Sequence, residues 1–77
     1  MRFHNTRHVL QRVSDRGLTL ESLKAVVAMP HGVEELSPGR NGGKLKRFRK
    51  TVDDKTLVVV AEVKGNECWL ATAFYES

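Results

Sequence analysis

The run Thr56–Val63, TLVVVAEV, constrains this chain more than any other stretch. It is β-branched and continuous enough for a central strand, and the Gly65-Asn66 pair that follows offers a tight hairpin turn. ECWLATAFY, residues 67–75, then returns antiparallel. Upstream, KLKRFRKTV, residues 44–52, reads as a further strand punctuated by Asp53 and Asp54, and VEEL, residues 33–36, as a short fourth one. SPGRNGG, between those two, is rich in turn formers. A meander of this kind is stable only if one face is covered.

The cover must come from the residues before Pro30. Asn5 or Thr6 can cap a helix over about residues 6–16, which Gly17 ends in the left-handed conformation. Thr19 can cap a second helix, LESLKAVVAM, whose Leu20, Leu23, Val26 and Val27 recur at helical spacing and which stops before Pro30. The expected fold is therefore α+β, with two N-terminal helices packed on a three- to four-stranded antiparallel sheet. A chain of 77 residues permits one domain, residues 1–77, and buries only about 60% of the surface its unfolded form exposes. Trp69, Leu70, Val58 and Val60 read as sheet core.

Several classes drop out on composition. Cys68 is the single cysteine, so there is no intramolecular disulfide and no zinc spacing; next to Trp69 in an apolar run it reads as core. No apolar run approaches the roughly 20 residues of a membrane helix, and MRFHNTR is polar where a secretory signal carries its hydrophobic stretch. The expected site of action is the cytoplasm, reached either directly or by delivery into a target cell as the C-terminal part of a larger exported protein. No carboxylate or Cys/His cluster has metal-ligand spacing, and no cofactor is expected.

Charge says more. Thirteen Lys and Arg against nine Asp and Glu leave a net +4, and residues 40–50, RNGGKLKRFRK, hold six cations and no anion. Such a segment attracts a polyanion, nucleic acid above all, although Lys on an edge strand also serves to block pairing with other chains. Lys44, Lys46 and Lys50 would project from one face with Phe48, and Leu45, Arg47 and Arg49 from the other. Lys44, Lys46, Arg47 and Arg49 are the candidate RNA-backbone ligands, and Phe48 is either core or a stacking platform for a base.

A second basic feature lies in RHVLQRVSDRG, where His8, Arg12 and Arg16 fall four residues apart. With His8 at zero, Arg12 lies at about 40° and Arg16 at about 80° around the helix, at the border of the apolar face formed by Val9 and Val13. Like charges at this spacing cost a helix roughly 0.2–0.5 kcal/mol per pair, a cost without return unless an anion sits opposite. The plain alternative is that Arg12 pairs with Asp15 and Arg16 complements the helix dipole. A histidine flanked by arginines suits cleavage of RNA, where the 2′-hydroxyl is deprotonated, the pentavalent phosphate stabilised and the leaving 5′-oxygen protonated, all without a metal.

The pattern T-x-H-x-x-x-R-x-x-x-R-G-[LI]-[ST], matched by Thr6, His8, Arg12, Arg16, Gly17, Leu18 and Thr19, continues into a helix, a basic strand, a VVV strand and a last strand with T-A-aromatic. In this the chain resembles small bacterial domains related to the barnase, EndoU, colicin and RelE-type ribonuclease superfamily, among them toxins of toxin-antitoxin and contact-dependent growth inhibition systems. The resemblance implies a metal-independent endoribonuclease acting on tRNA or translated mRNA by 2′-hydroxyl attack. It makes His8 an acid or base, Arg12 and Arg16 phosphate ligands, and Thr72 the residue that orients a phosphate oxygen or the nucleophile. Related sequences often carry a tyrosine two positions after that threonine; here Phe74 stands there, with Tyr75 one step on and on the opposite face of a regular strand. Tyr75 and His4 are further candidates, His4 as a second proton carrier should it fold back over the helix end; His31 reads as a surface loop residue. The implied partners are RNA, a cognate antitoxin or immunity protein, and, as for some relatives, the translation elongation factor Tu. The alternative reading is a non-catalytic basic module that binds RNA or a protein partner with the same fold.

Overall fold

The computed structural model of the chain describes residues 1–76. Its elements are β1 (Arg2–Asn5), α1 (Arg7–Asp15), α2 (Leu20–Ala28), β2 (Gly32–Pro38), β3 (Lys44–Val52), β4 (Lys55–Lys64) and β5 (Glu67–Glu76). All five strands form one sheet in the order β1-β5-β4-β3-β2. Among the described residues no helix is long and apolar enough to cross a membrane.

This corrects the expected architecture in two respects. The chain begins with a strand, not with two helices, and the sheet has five strands and is mixed, because β1 runs parallel to β5 with Phe3 opposite Cys68 and His4 opposite Trp69. The physical reason lies in the partner. A four-residue strand has too short a pattern to read locally, and its pairing is to a segment more than sixty residues later. Phe3 packs against the core, which secures β1 despite its length.

The remaining elements follow from local chemistry. Thr6 caps α1 by accepting from the Val9 amide at 3.1 Å, and Thr19 caps α2 by accepting from the Ser22 amide at 3.1 Å. Gly17, at φ 64°, turns the chain between the helices. Asp53 and Asp54 at φ 52° and 65° make the β3–β4 turn, a left-handed pair of the kind that suits the twist of a hairpin.

One face of the sheet carries the helices. Val9, Leu18, Leu23, Val26 and Val27 meet Phe48, Leu57, Val59, Ala61, Cys68, Leu70 and Ala73 in a single core. Phe48 is thus core and unavailable for stacking on a base. Cys68 is buried there too, and desolvation pushes its thiol up to about 11. The other face carries no helix, only the loop at residues 38–43, which lies over Glu62. Val58 is nonetheless fully buried, flanked in register by Arg49 and Phe74, whereas Trp69 and Val60 are only half-buried and belong to this open face, not to the core.

Candidate functional site

The length of β1 determines where a site can form. Its pairing with β5 ends at Leu70, so from Ala71 onward the outer edge of β5 has no neighbouring strand, and α1 packs there instead. Arg16 supplies what the missing strand would have: its Nη1 donates to the Ala73 carbonyl at 2.7 Å. A bulge sits at the same place. Val60 pairs with Thr72 and Ala61 with Leu70, so Ala71 is the extra residue of β5. The bulge resets the alternation, leaving Ala73 in the core and Thr72 and Phe74 on the open face.

Along this seam Arg12 and Arg16 of α1 meet Thr72, Phe74 and Tyr75 of β5 around an open depression of about 640 Å³. Arg12 Nε donates to His8 Nε2 at 3.3 Å, which joins the imidazole to the arginine pair and fixes Nε2 as an acceptor in this arrangement. His8 itself borders an adjoining depression of about 450 Å³, with Trp69 and Ala71 on β5, Leu45 and Glu62 on the sheet floor, and the Pro38–Asn41 loop as its far wall. Ala71 lines this depression and Thr72, the next residue, lines the arginine one. The structure therefore groups Arg12, Arg16, Thr72 and Tyr75, with His8 in contact through Arg12.

The expected Arg12–Asp15 pair does not form, and among the described residues neither Arg12 nor Arg16 has a carboxylate partner. Two guanidinium groups left without counterions on one rim create the local positive potential that an anion requires. Tyr75 also borders this depression, although it belongs to the helix-side register opposite Leu57 and Lys55 Nζ lies 5.7 Å from its ring centroid.

The basic segment behaves differently. Lys44 and Lys46 lie on the helix side, opposite Val63 and Ala61, whereas Arg47 and Arg49 lie on the open face, opposite Val60 and Val58. Only the arginines share the face of Thr72. Half of its six cations are already matched: Arg47 Nη1 lies 2.9 Å from Glu34, Lys44 Nζ 3.2 Å from Glu35, and Arg49 Nη2 3.4 Å from Glu76. Lys46 has no salt bridge among the described residues. Sequence reading missed this neutralisation, although the signal was present, since VEEL antiparallel to KLKRF sets acids against bases.

His4 does not fold back over α1. On β1 it stacks on Trp69, ring centroids 5.1 Å apart and planes 14° from parallel, and its Nε2 lies 3.3 Å from the Glu67 carboxylate. His31 accepts from the Thr51 amide at 3.1 Å and holds the start of β2 against the end of β3.

Glu62 is a residue that sequence reading passed over. Only 3% exposed, it accepts from the amides of Asn41 and Gly43 at 2.8 and 2.9 Å and from the Asn41 side chain at 3.0 Å, and so pins the Pro38–Gly43 loop to the sheet. Desolvation works to raise its carboxyl, but the amide of Gly43 and then the side chain and amide of Asn41 outweigh it and hold the group below the usual carboxylate range. Gly39 crosses directly over this carboxylate, where any Cβ would collide with the Glu62 side chain. Among the described residues no group of three or more His, Cys, Asp or Glu could hold a metal. No family model matches the chain, and neither curated proteins nor solved structures yield a match.

Proposed function

We propose that the chain is an endoribonuclease toxin that needs no metal and cleaves RNA by attack of the 2′-oxygen on the adjacent phosphorus. The observation that carries this reading is the hydrogen-bonded His8–Arg12 pair beside Arg16, with both guanidinium groups free of carboxylates among the described residues and Arg12, Arg16 and Thr72 lining one depression. His8 takes the 2′-hydroxyl proton on Nε2, which the Arg12 guanidinium vacates as it turns to the phosphate; Arg12 and Arg16 bind the phosphate and offset the charge that builds up in the pentavalent transition state. Thr72 orients a non-bridging oxygen, and the Tyr75 hydroxyl is the proton source we assign to the leaving 5′-oxygen. The products are a 2′,3′-cyclic phosphate and a 5′-hydroxyl. Lys46 lies on the helix side and Arg47 is held by Glu34, so the basic strand is not assigned to the RNA backbone in this reading. RNA of the translation machinery, tRNA in particular, is the substrate class this reading favours, with elongation factor Tu as a presenting partner. A neutralising antitoxin or immunity protein would be acidic, since it has to cover the Arg12–Arg16 rim.

The test is cleavage of total RNA in excess chelator, with the new ends mapped. The reading requires 5′-hydroxyl and cyclic phosphate ends, and a loss of about 10²–10⁴-fold in rate for His8→Ala with RNA binding retained. Cleavage unaffected by His8→Ala removes the histidine from the chemistry. Salt-sensitive binding with no cleavage by the unaltered chain favours the binding module instead. That second reading has its own support, because the only other imidazole on this face, His4, is held by Glu67 and Trp69.

A further inference from the structure

The depression beside His8 is built differently from the arginine rim. Its side wall is the Trp69 ring, whose one face is occupied by His4 across the β1–β5 pairing, so that the other is turned toward β4 and the loop. Leu45, Ala71 and Pro38 supply apolar surface, and the volume of about 450 Å³ lies within the range of roughly 300–1,000 Å³ that small-molecule sites occupy. The far wall is the Pro38–Gly43 loop, which carries two of its backbone amides and one side chain on the buried Glu62 carboxylate. A wall fixed in this way loses little freedom when a ligand arrives. At the mouth Arg40 is exposed and has no salt bridge among the described residues, so the slot opens between positive groups, with Arg12 beyond His8 at one end and Arg40 at the other.

We infer that this slot takes one unpaired nucleobase of an RNA strand, stacked on the free face of Trp69, while the neighbouring phosphate lies between Arg12 and Arg16. The occupant follows from the composition of the place: a flat aromatic wall, apolar surface, and cations on both sides that suit the phosphates flanking one base. Stacking on an aromatic ring is tolerant of base identity but intolerant of pairing, because a base inside a duplex has no free face. The substrate class is thus RNA presenting a single-stranded nucleotide, a loop or an end, next to the cleaved bond. Glu62 and Gly39 are positioning residues: they hold the loop wall at its distance from Trp69 and do not touch the base.

The inference rests on the RNA reading above, and the experiment separates the two. Trp69 is the only tryptophan of the chain, so its emission reports the slot directly. The full chain is titrated with a 2′-O-methyl RNA pentamer, which cannot be cleaved because its nucleophilic oxygens are blocked, and with an abasic pentamer carrying the same phosphates. Affinity is measured by calorimetry and stacking by Trp69 quenching. The expected result is that both bind, that only the base-bearing pentamer quenches, and that it binds about 5- to 150-fold more tightly, as one stacked base contributes. Trp69→Phe keeps most of that advantage and Trp69→Leu reduces it to the abasic level. Equal affinities without quenching overturn the base slot and leave the RNA reading intact; absence of binding by either pentamer overturns both. The comparison of ligands uses the unaltered chain, so misfolding of a Trp69 variant cannot obscure it.

Discussion

The division between matched and unmatched cations yields a quantitative prediction. Binding to a single-stranded polyanion falls with salt at a slope of about −0.7 in log K against log[salt] for each phosphate neutralised. Arg12 and Arg16 have no carboxylate partner, whereas Arg49 is held by Glu76 at 3.4 Å and Arg47 by Glu34 at 2.9 Å. Removing Arg12 and Arg16 together should therefore flatten the slope by about 1.4, so that the double variant loses about sevenfold less affinity than the unaltered chain between 50 and 200 mM salt. Each single variant accounts for about half of the slope change. Arg49→Ala, which alters net charge by the same amount, should leave the slope unchanged, because the cation it removes was engaged within the protein. Glu34→Ala is the converse case: it releases Arg47 on the Thr72 face and should steepen the slope by about 0.7. The assay is titration of an uncleavable single-stranded RNA at four or five salt concentrations. A larger slope change from Arg49→Ala than from Arg12→Ala would refute the argument, since it would mean that the exposed basic strand, and not the seam between α1 and β5, holds the backbone.

Other outcomes follow from the packing. Leu23 is fully buried between α2 and the sheet, and Leu23→Ala should destabilise the domain by about 2–5 kcal/mol in urea unfolding. Thr6→Ala removes the α1 cap and should cost about 1 kcal/mol, with hydrogen exchange at the Val9 amide rising first. Glu62 has a folded-state pKa below its ordinary value of 4.5, so it contributes stability that is fully present above that value and is lost as pH falls through the lowered folded value. In the unaltered chain the Asn41 and Gly43 amides should begin to exchange faster in that acid range; Glu62→Gln should remove the pH dependence and expose them at neutral pH. Cys68, with its thiol pushed up to about 11 and no exposed surface, should resist aromatic disulfide reagents at pH 8 until the domain unfolds.

What could be read from the sequence was whatever local chemistry dictates. The caps at Thr6 and Thr19, the left-handed Gly17, the paired aspartates at 53 and 54 and the β-branched run of β4 each act over a few residues, and each element they imply is present. β1 was not legible, because nothing within Arg2–Asn5 names a partner that lies beyond residue 66. The charge cluster was legible as composition and misleading as potential. Six cations stand in residues 40–50, yet three of them meet Glu34, Glu35 and Glu76 once the strands align. Arg40, Lys46 and Lys50 keep no carboxylate partner among the described residues, and neither do Arg12 and Arg16 on a helix that contains Asp15, the place where local reasoning expected an intrahelical pair.

The unread features account for the site. Had β1 extended past Leu70, its backbone would have occupied the edge of β5, the Ala73 carbonyl would have had a strand partner, and Arg16 would have had no reason to reach it. Had β5 paired regularly, with Ala71 opposite Val60, the residues from Thr72 onward would have changed faces, sending Thr72 toward the helices and Ala73 outward. The rim of Arg12, Arg16 and Thr72 thus depends on two departures from a regular sheet, a strand that stops early and one inserted residue. Deleting Ala71 tests this dependence. With the extra residue gone, Leu70 and Thr72 stay opposite Ala61 and Val60 in a regular strand, so the faces are kept and RNA binding should persist; weakened binding by a folded variant would show that the local geometry of the bulge, and not the face of Thr72 alone, makes the rim.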